Sequence, residues 1–446
     1  MPRGLHWTCA LLLLGLFGCA TYRPAPLPTV EALLQRKPAV SAQVSPEHPL
    51  LPARSIDLEA PLTDLDAARL ALIASPELNA TRAQVGVSEA QLFAAGLIAD
   101  PQISLSVDRP DVAGLVNALA AGLSFDLASL FTRAVRLAGA RSAATKVRLD
   151  VAWSEWLALN QVRTLVRRTV ALERQVAVAD QAEDAAAEIY KLTEQNMTLG
   201  DARLDDVTVY QVGYLDAQDR LLSLKRQLTA TRQELNALIG IPPHALLALS
   251  AARHPQPLEG LDSDALVLAA AHDRLDVRAL EAGYAAQERG VRLATKNAFP
   301  LPQLSFNRAR DTSAIWTRGI GVGTSLPLWN RNRGEISIAV ATRAQLAAEY
   351  AARIHRMRAD VVAQVEDLRA IDAERRALAG QLPKLEESAR IIAQATREGS
   401  LPLVTYETVR AALLGKQLNL LALEQAQTEG EVALETSIGT LLWETP

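Results

Sequence analysis

Residues 325–336 read SLPLWNRNRGEI, and they mark the change from one kind of secondary structure to another. Before them, RGIGVGTSL (318–326) alternates small and apolar residues with a period of two, which is typical of a β-strand. After them, residues 335–397 contain hardly a helix breaker and predict one helix on the order of 100 Å long. A helix of this length is far too long for a compact enzyme core.

The composition agrees with an architecture built from long helices. The 446 residues are rich in Ala, Leu, Gln, Glu and Arg, and only 4% of them are aromatic. This length predicts two or three domains, or one architecture made by repetition. The net charge of −4 is spread along the chain without a basic stripe, so no nucleic acid is expected as a partner.

The N-terminus, MPRGLHWTCALLLLGLFGC (1–19), has the form of a secretory signal peptide. Its apolar run is shorter than the roughly 20 residues that cross a bilayer as a helix. The end of that run, LFGC (16–19), resembles the lipobox of bacterial lipoproteins. The resemblance implies a signal peptide at 1–18 and a lipid such as palmitate on Cys19. By the sorting rule of that class, Ala20 implies the outer membrane. The alternative is an ordinary secretory signal with a chance cysteine.

The mature chain offers no constellation typical of an enzyme. Cys9 would leave with the signal peptide and Cys19 would carry lipid, so no thiol would remain for a disulfide, a metal or catalysis. The histidines of the mature chain lack the spacing of metal ligands. The segment GIGVG (319–323) reads as a strand rather than as a dinucleotide-binding loop. We therefore predict no catalytic residue, no metal site and no cofactor beyond the covalent lipid.

From about residue 62 the sequence repeats itself at an offset of roughly 200 residues. Three pairs of segments match in the same order: SPELNATRA (75–83) with RLDVRALEA (274–282), DPQISLSVD (100–108) with LPQLSFNRA (301–309), and QELNALIG (233–240) with ALETSIG (433–439). We therefore predict a tether at 19–61, repeat 1 at 62–245, a linker at 246–262 and repeat 2 at 263–446.

Each repeat is predicted to contain a helix, a β-hairpin, a very long helix and a return helix. The predicted helices are 64–96, 132–198 and 203–239 in repeat 1, and 263–297, 335–397 and 402–442 in repeat 2. The predicted strands are 102–108, 121–127, 302–309 and 318–326. The return helices carry a seven-residue repeat, with Val207, Tyr214, Leu221, Leu228 and Leu235 in the first copy. The fold class is thus mainly α with a small β part.

The four strands have a pattern that suits a membrane. Ile103, Leu105 and Val107 alternate with polar residues, as in strands with one face in lipid. Four strands cannot close a barrel, and an open sheet edge is not tolerated in lipid. Several chains would then have to share one barrel, and a trimer would give twelve strands. The alternative is a small cap domain in water.

These segments together resemble the TolC-like outer-membrane efflux channels over about residues 60–446. The resemblance is carried by the lipobox, by the duplicated order of elements, and by SPELNATRA, AAGLIADPQISL (94–105) and SLPLWNRNRGEI. The last two look most like the heavy-metal CzcC-like branch of that family.

The resemblance implies a homotrimer with a twelve-stranded transmembrane β-barrel in the outer membrane, continued by a long periplasmic α-helical barrel. It further implies a periplasmic adaptor protein and an inner-membrane pump of the RND type as partners. The protein would be a passive exit duct, with divalent heavy-metal cations as cargo or, alternatively, drugs and other organic compounds. The rival interpretations are a periplasmic coiled-coil scaffold lipoprotein and the adaptor itself, and the full-length duplication argues against the adaptor.

The resemblance also assigns candidate site residues. The loops at Gly200 and Gly399 would form the periplasmic tip, and Asp206 matches a family acid that latches neighbouring helices. Thr405 and Thr408 stand where better-known members carry an acidic ring. The candidates for gating or adaptor docking are Gly200, Asp201, Asp205, Asp206, Gly399, Thr405, Glu407 and Thr408. The alternative for each charged residue is a solvated side chain at a helix end.

The segment quoted first would form a strand-to-helix turn at the membrane interface. Pro327 would end the strand, after which Trp329 would lie at the interface. Glu335 would complement the positive end of the helix dipole. The residues assigned to this turn are Pro327, Trp329, Asn330, Arg331, Arg333, Gly334 and Glu335.

Overall fold

The computed structural model describes residues 22–31, 56, 60–250 and 255–443. The predictions for the signal peptide, for Cys19 and for most of the tether fall outside these residues. The chain has two compact units, Met1–Ala39 and Val40–Pro446. In the first unit, residues 22–29 are exposed and have no regular secondary structure. All elements named below belong to the second unit.

The second unit contains the same order of elements twice. The first copy consists of α1 (Asp64–Ala74), α2 (Pro76–Gly96), β1 (Gln102–Asp108), β2 (Ala118–Asp126), α3 (Ala128–Leu199) and α4 (Leu204–Ile239). The second copy consists of α5 (Ser263–Asp273), α6 (Leu275–Lys296), β3 (Pro302–Arg310), β4 (Trp316–Thr324), α7 (Arg333–Arg397) and α8 (Leu403–Ile438). The predicted mainly helical, duplicated plan is confirmed.

The prediction of one continuous first helix in each repeat is wrong, because each of these helices is broken in two. Ser75 lies between α1 and α2 at φ −59° and ψ 121°, and Arg274 lies between α5 and α6 at φ −62° and ψ 123°. Pro76 explains the first break, since a residue before proline avoids the helical region. The second break has no proline. There Arg274 donates from Nη1 to the carbonyl oxygen of Ser437 at 2.8 Å, which holds the extended residue in place.

The end of each return helix packs against the matching break. Gly240 and Gly439 both end their helices at positive φ, 85° and 81°. A Cβ on Gly240 would lie 2.9 Å from the carbonyl oxygen of Ala74, and one on Gly439 would lie 3.2 Å from the Cα of Arg274. Glycine is therefore required for its conformation and for the close approach of two backbone segments. The duplication thus extends to individual contacts.

Two predicted strands and two predicted helix starts lie a few residues away from the observed ones, and α3 begins at Ala128 rather than at 132. β2 spans Ala118–Asp126 rather than 121–127, and β4 spans Trp316–Thr324 rather than 318–326. The pairing of β3 with β4 explains why β4 ends early. β3 begins at Pro302, which pairs with Thr324, and β4 has no partner on β3 beyond that residue. The prediction that Pro327 ends the strand is therefore wrong. α7 begins at Arg333, so Arg333 and Gly334 belong to the helix and not to the turn.

The four strands form one antiparallel sheet in the order β1-β2-β3-β4, with β1 and β4 at its edges. The central pair, β2 and β3, joins the two repeats. The register places Ile103, Leu123, Phe306 and Ile320 in one row across the sheet, and the adjacent row is Ser104, Gly122, Asn307 and Gly319. Successive residues of a strand point to opposite faces, so the sheet has one apolar face and one face of small and polar residues.

The helical part is packed around α3, which contacts α1, α2, α4, α6 and α8. The core of repeat 1 includes Leu70, Trp156 and Leu159, and the core of repeat 2 includes Met357, Val361 and Leu434. The predicted seven-residue seam of α4 faces inward, since Val207, Leu221 and Leu235 are buried and Tyr214 and Leu228 are half-buried.

A group of buried ion pairs joins α3 to α8. Arg163 is fully buried and donates from Nη1 to Oε2 of Glu435 at 2.6 Å. One turn further along α3, Arg167 donates from Nε to Asp64 at 2.8 Å and contacts Glu431 at 3.3 Å. We call these five side chains the buried ion network. It connects the long helix of repeat 1 to the return helix of repeat 2.

We expect Arg163→Ala to lower the free energy of unfolding by about 3–5 kcal/mol, because the substitution leaves Glu435 buried without its charged partner. The measurement is urea-induced loss of the helical circular dichroism signal in detergent. Arg174→Ala is the matched control on the same helix. Arg174 pairs with Glu424 at 3.0 Å with its side chain 47% exposed, and its loss should cost about 0–1 kcal/mol. Equal effects of the two variants would contradict the role given to the network.

We also expect Asp276 to make the fold sensitive to acid. Burial raises the pKa of Asp276, but hydrogen bonds and charges from Arg274 and Arg353 outweigh it and hold that pKa below its ordinary value. A carboxylate with a lowered pKa stabilises the fold above its unfolded pKa of about 3.9, and this contribution is lost as the pH falls through the folded pKa.

Asp276→Asn should therefore lower the thermal midpoint at pH 7 and flatten the loss of stability below about pH 4. Thermal unfolding of the helical signal across pH 3–7 measures both effects. The control is Asp273→Asn, an exposed carboxyl three residues away for which the described part of the chain provides no ion pair. If the thermal midpoint of Asp276→Asn fell as steeply below pH 4 as that of the wild type, this account would be wrong.

Candidate functional site

The candidate functional residues lie in two regions of the described chain. One is the four-stranded sheet, and the other is the pair of hairpin tips at the opposite ends of the long helices. The described residues hold no group of three or more histidine, cysteine or carboxylate side chains placed to bind a metal ion. Within the same residues, no helix has both the length and the apolar character needed to cross a membrane.

The first tip joins α3 to α4 through Gly200. Gly200 has φ 85°, and its N–H donates to the carbonyl oxygens of Asn196 and Met197, which is the usual way to end a helix. The carboxylate of Asp206 accepts a hydrogen bond from the backbone N–H of Arg203 at 3.2 Å. Asp206 therefore caps its own helix in this chain. Asp201 and Asp205 are exposed, so the acidic residues of this tip face solvent.

The second tip joins α7 to α8 through Gly399, which has φ 74°. Thr405 and Thr408 are exposed, and the Thr408 hydroxyl donates to the carbonyl oxygen of Val404 at 2.8 Å. The alternative interpretation of Glu407 as a solvated charge does not hold, because this residue is only 5% exposed and its carboxylate pairs with Arg410 at 3.2 Å. The second tip thus carries one buried carboxylate beside neutral hydroxyls.

The apolar face of the sheet is not covered by the rest of the described chain. Ile103, Leu105, Ile320 and Val322 are 65–79% exposed. An apolar patch of this kind marks a surface that contacts another protein or a membrane.

On the other face of the sheet, residues are small and lie close together. A Cβ on Gly122 would lie 2.5 Å from Oγ of Ser104 and 3.0 Å from Oδ1 of Asn307. The chemistry of this face is that of hydroxyls, amides and bare backbone.

The segment between β4 and α7 is an exposed turn. Trp329 is 86% exposed, and Arg331 and Asn332 adopt positive φ values of 46° and 54°. The Asn332 side chain donates from Nδ2 to the carbonyl oxygen of Ala294 at 2.8 Å, which ties the turn to the end of α6. Glu335 lies in the first turn of α7, as predicted.

Sequence reasoning did not single out Asn332, although it ties the turn to α6. A signal was available, because Asn is among the residues that most readily adopt positive φ.

Sequence reasoning also missed four residues at one end of the apolar face, Arg308, Arg310, Trp316 and Arg318. The signal was their spacing along the strand. Arg308 and Arg310 occupy every second position after Leu304 and Phe306, so all four side chains lie on the same face.

Comparisons with known proteins agree with this geometry. Residues 266–440 match the family model described as "Outer membrane efflux protein". No curated protein matches the sequence.

Several solved structures share the fold at low identity. A structure of CusC, concerned with conformational changes accompanying folding and transmembrane channel formation, has a TM-score of 0.68 at 16% identity and covers 84% of this chain and 91% of its own. The outer-membrane channel OprN has a TM-score of 0.69 at 16% identity, with 91% and 98% covered. The CmeC outer membrane channel of Campylobacter jejuni has a TM-score of 0.65 at 14% identity, with 94% and 93% covered.

These three structures are described as channels. The chain therefore has the fold of the TolC-like outer-membrane channels, and most of its second repeat carries the sequence pattern of the outer membrane efflux proteins.

Proposed function

We propose that the protein is the outer-membrane exit channel of a tripartite efflux system and that it works as a homotrimer. The observation that carries this proposal is the sheet, which has an exposed apolar face, a small and polar face, and two unpaired edges. In lipid the backbone groups of β1 and β4 must find partners. Three copies that pair β4 of one chain with β1 of the next form a closed barrel of twelve strands.

The transport itself is passive in this proposal. The face that carries Ser104, Gly122 and Asn307 lines the lumen, and the apolar face lies in lipid. The long helices continue the duct through the periplasm. In this proposal an inner-membrane pump supplies the energy. The pump would also select a metal cargo, since the described residues contain no cluster placed to capture a metal ion.

The tips of the α3–α4 and α7–α8 hairpins are the part that meets a periplasmic adaptor protein and closes the duct. Their lone buried acid, Glu407, and their exposed acids, Asp201 and Asp205, are the residues we assign to gating or docking. At the other end of the molecule, Trp329 and Glu335 mark the boundary between the membrane and the periplasm. A lipid on Cys19 would add an anchor in the outer membrane.

For the cargo we propose divalent heavy-metal cations, on the strength of the two motifs that resemble the CzcC-like branch. Drugs and other organic compounds are the second candidate, and the fold supports both equally. Growth of a strain that lacks the protein, on graded zinc, cobalt, cadmium and copper salts and on dyes and detergents, separates the two. Greater sensitivity to metals alone supports the first, and greater sensitivity to organic compounds alone overturns it.

Negative-stain electron microscopy of the detergent-purified mature protein tests the assembly. We expect hollow particles with three-fold symmetry in end views and a length of more than about 100 Å. Thin rods or compact particles without a lumen would refute the channel and favour a periplasmic scaffold.

A pair of substitutions on β4 tests which face of the sheet meets lipid. Ile320→Arg should impair insertion, because a charged side chain near the midplane of the membrane costs about 2–4 kcal/mol. Gly319→Arg is the matched control on the opposite face. A Cβ added at Gly319 would have no other atom of this chain within 4 Å. The amount of trimer recovered from outer-membrane fractions measures both. Equal recovery of the two variants would mean that the assignment of the faces is wrong.

A further inference from the structure

Three arginines and one tryptophan lie at one end of the apolar face of the sheet. Arg308 on β3 lies directly opposite Arg318 on β4, and Arg310 lies opposite Trp316. The guanidinium carbon of Arg308 is 4.7 Å from the centre of the Trp316 ring, and that of Arg310 is 5.8 Å away. We call Arg308, Arg310 and Arg318 the arginine cluster.

The arginine cluster has positive charge that the described chain does not balance. Like charges directly opposite each other on a sheet repel. No member of the cluster forms an ion pair with a described carboxylate, whereas most of the ion pairs on the helices involve an arginine. Arg310 donates from Nη2 to the carbonyl oxygen of Asn117 at 2.9 Å, but its buried Nε has no hydrogen-bond partner. Arg308 and Arg318 are exposed, so the cluster is open to an anion from outside the chain.

In the pairing proposed above, the strand residues of a neighbouring copy that share the apolar face do not supply that anion. In that pairing β4 meets β1 of the next chain. The residues of β1 on the apolar face are Ile103, Leu105 and Val107, none of which carries charge. The only acid of β1, Asp108, follows Val107 and points to the opposite face.

The position of the cluster indicates where the anion lies. Arg308 and Arg310 follow Leu304 and Phe306 on the same face of β3, and the cluster is adjacent to the hairpin turn at 311–315. The long helices leave from the other end of the strands. If the helices extend into the periplasm, as the proposed function requires, the cluster lies at the outer surface of the membrane. Tryptophan and arginine are the residues expected at the level of lipid headgroups.

We propose that the arginine cluster binds the phosphate groups of a phosphorylated glycolipid in the outer leaflet, with Trp316 packing against its apolar part; this rests on the proposed function. A guanidinium group matches phosphate because it can donate two parallel hydrogen bonds to it. Two guanidinium groups held opposite each other on a rigid sheet can share one phosphate, which turns their repulsion into a binding site. Each protomer carries one cluster, so a trimer offers three sites.

Native mass spectrometry of the detergent-purified trimer tests the proposal, with bisphosphorylated lipid A as the probe. The test variant is the double substitution Arg308→Gln and Arg318→Gln. The matched control is Arg331→Gln with Arg333→Gln, which removes the same charge at the other end of the sheet, from the exposed turn and from the first residue of α7. We expect up to three lipid molecules on the wild type and on the control. The test variant should bind at least about tenfold more weakly.

Three results would overturn the proposal. One is equal binding of lipid A by the wild type and the test variant. A second is equal binding of lipid A and of the same lipid without its phosphates, which would show contact with acyl chains alone. The third is full competition by millimolar inorganic phosphate, which would show a site for free anions and not for a lipid.

The oligomeric state separates this proposal from the proposed function. Three-fold particles in the wild type, together with any of these three results, refute the lipid site and leave the channel intact. A test variant that falls apart in lipid-free detergent would show that the cluster contacts a neighbouring chain, which also refutes the lipid site. Absence of three-fold particles in the wild type would refute the channel and, with it, the lipid site.

Discussion

The buried contact between Arg163 and Glu435 joins the two repeats within the helical part of the molecule. Arg163 lies near the middle of α3, a helix of 72 residues, and Glu435 lies near the end of the return helix of the other repeat. Glu435 also accepts hydrogen bonds from the backbone N–H groups of Leu442 and Trp443. A buried charge that loses its partner is costly, so arrangements of the repeats that separate this pair are disfavoured. The sheet and the tips are positioned relative to this junction.

The two repeats keep the same backbone with different chemistry, which shows what the fold requires. Both first helices break at φ near −60° and ψ near 120°, with Ser75 and a proline in one case and Arg274 and its hydrogen bonds in the other. Both return helices end in a glycine packed against that break. The tips differ more, because one has exposed acids and the other a buried Glu407 beside threonines. The scaffold is duplicated, whereas the surfaces of the tips are not.

Much of this fold could be predicted from periodicity, and the remainder depends on contacts between distant segments. The long helices and the strands follow from their repeats of about 3.6 and 2 residues, and even Pro383 does not interrupt α7. The end of β4 could not be predicted, because its last partner is Pro302 on another strand. The break at Arg274 depends on the carbonyl oxygen of Ser437, more than 160 residues away. The burial of Glu407 likewise depends on packing between helices.

The sheet combines two properties that cannot both be satisfied in one isolated chain. Its apolar face favours lipid, while its unpaired edge strands carry backbone groups that lipid cannot satisfy. Water satisfies the edges but leaves Ile320 and Val322 exposed. The proposed closure with further copies of the same chain would resolve the conflict, because β4 of one copy could pair with β1 of the next and continue the antiparallel order. The arginine cluster poses a similar problem for charge, since Arg308 and Arg318 lie opposite each other and form no ion pair within the described chain. In the proposed trimer, neighbouring copies pair the edge strands, and in the proposed lipid site the phosphates of the membrane balance the arginines.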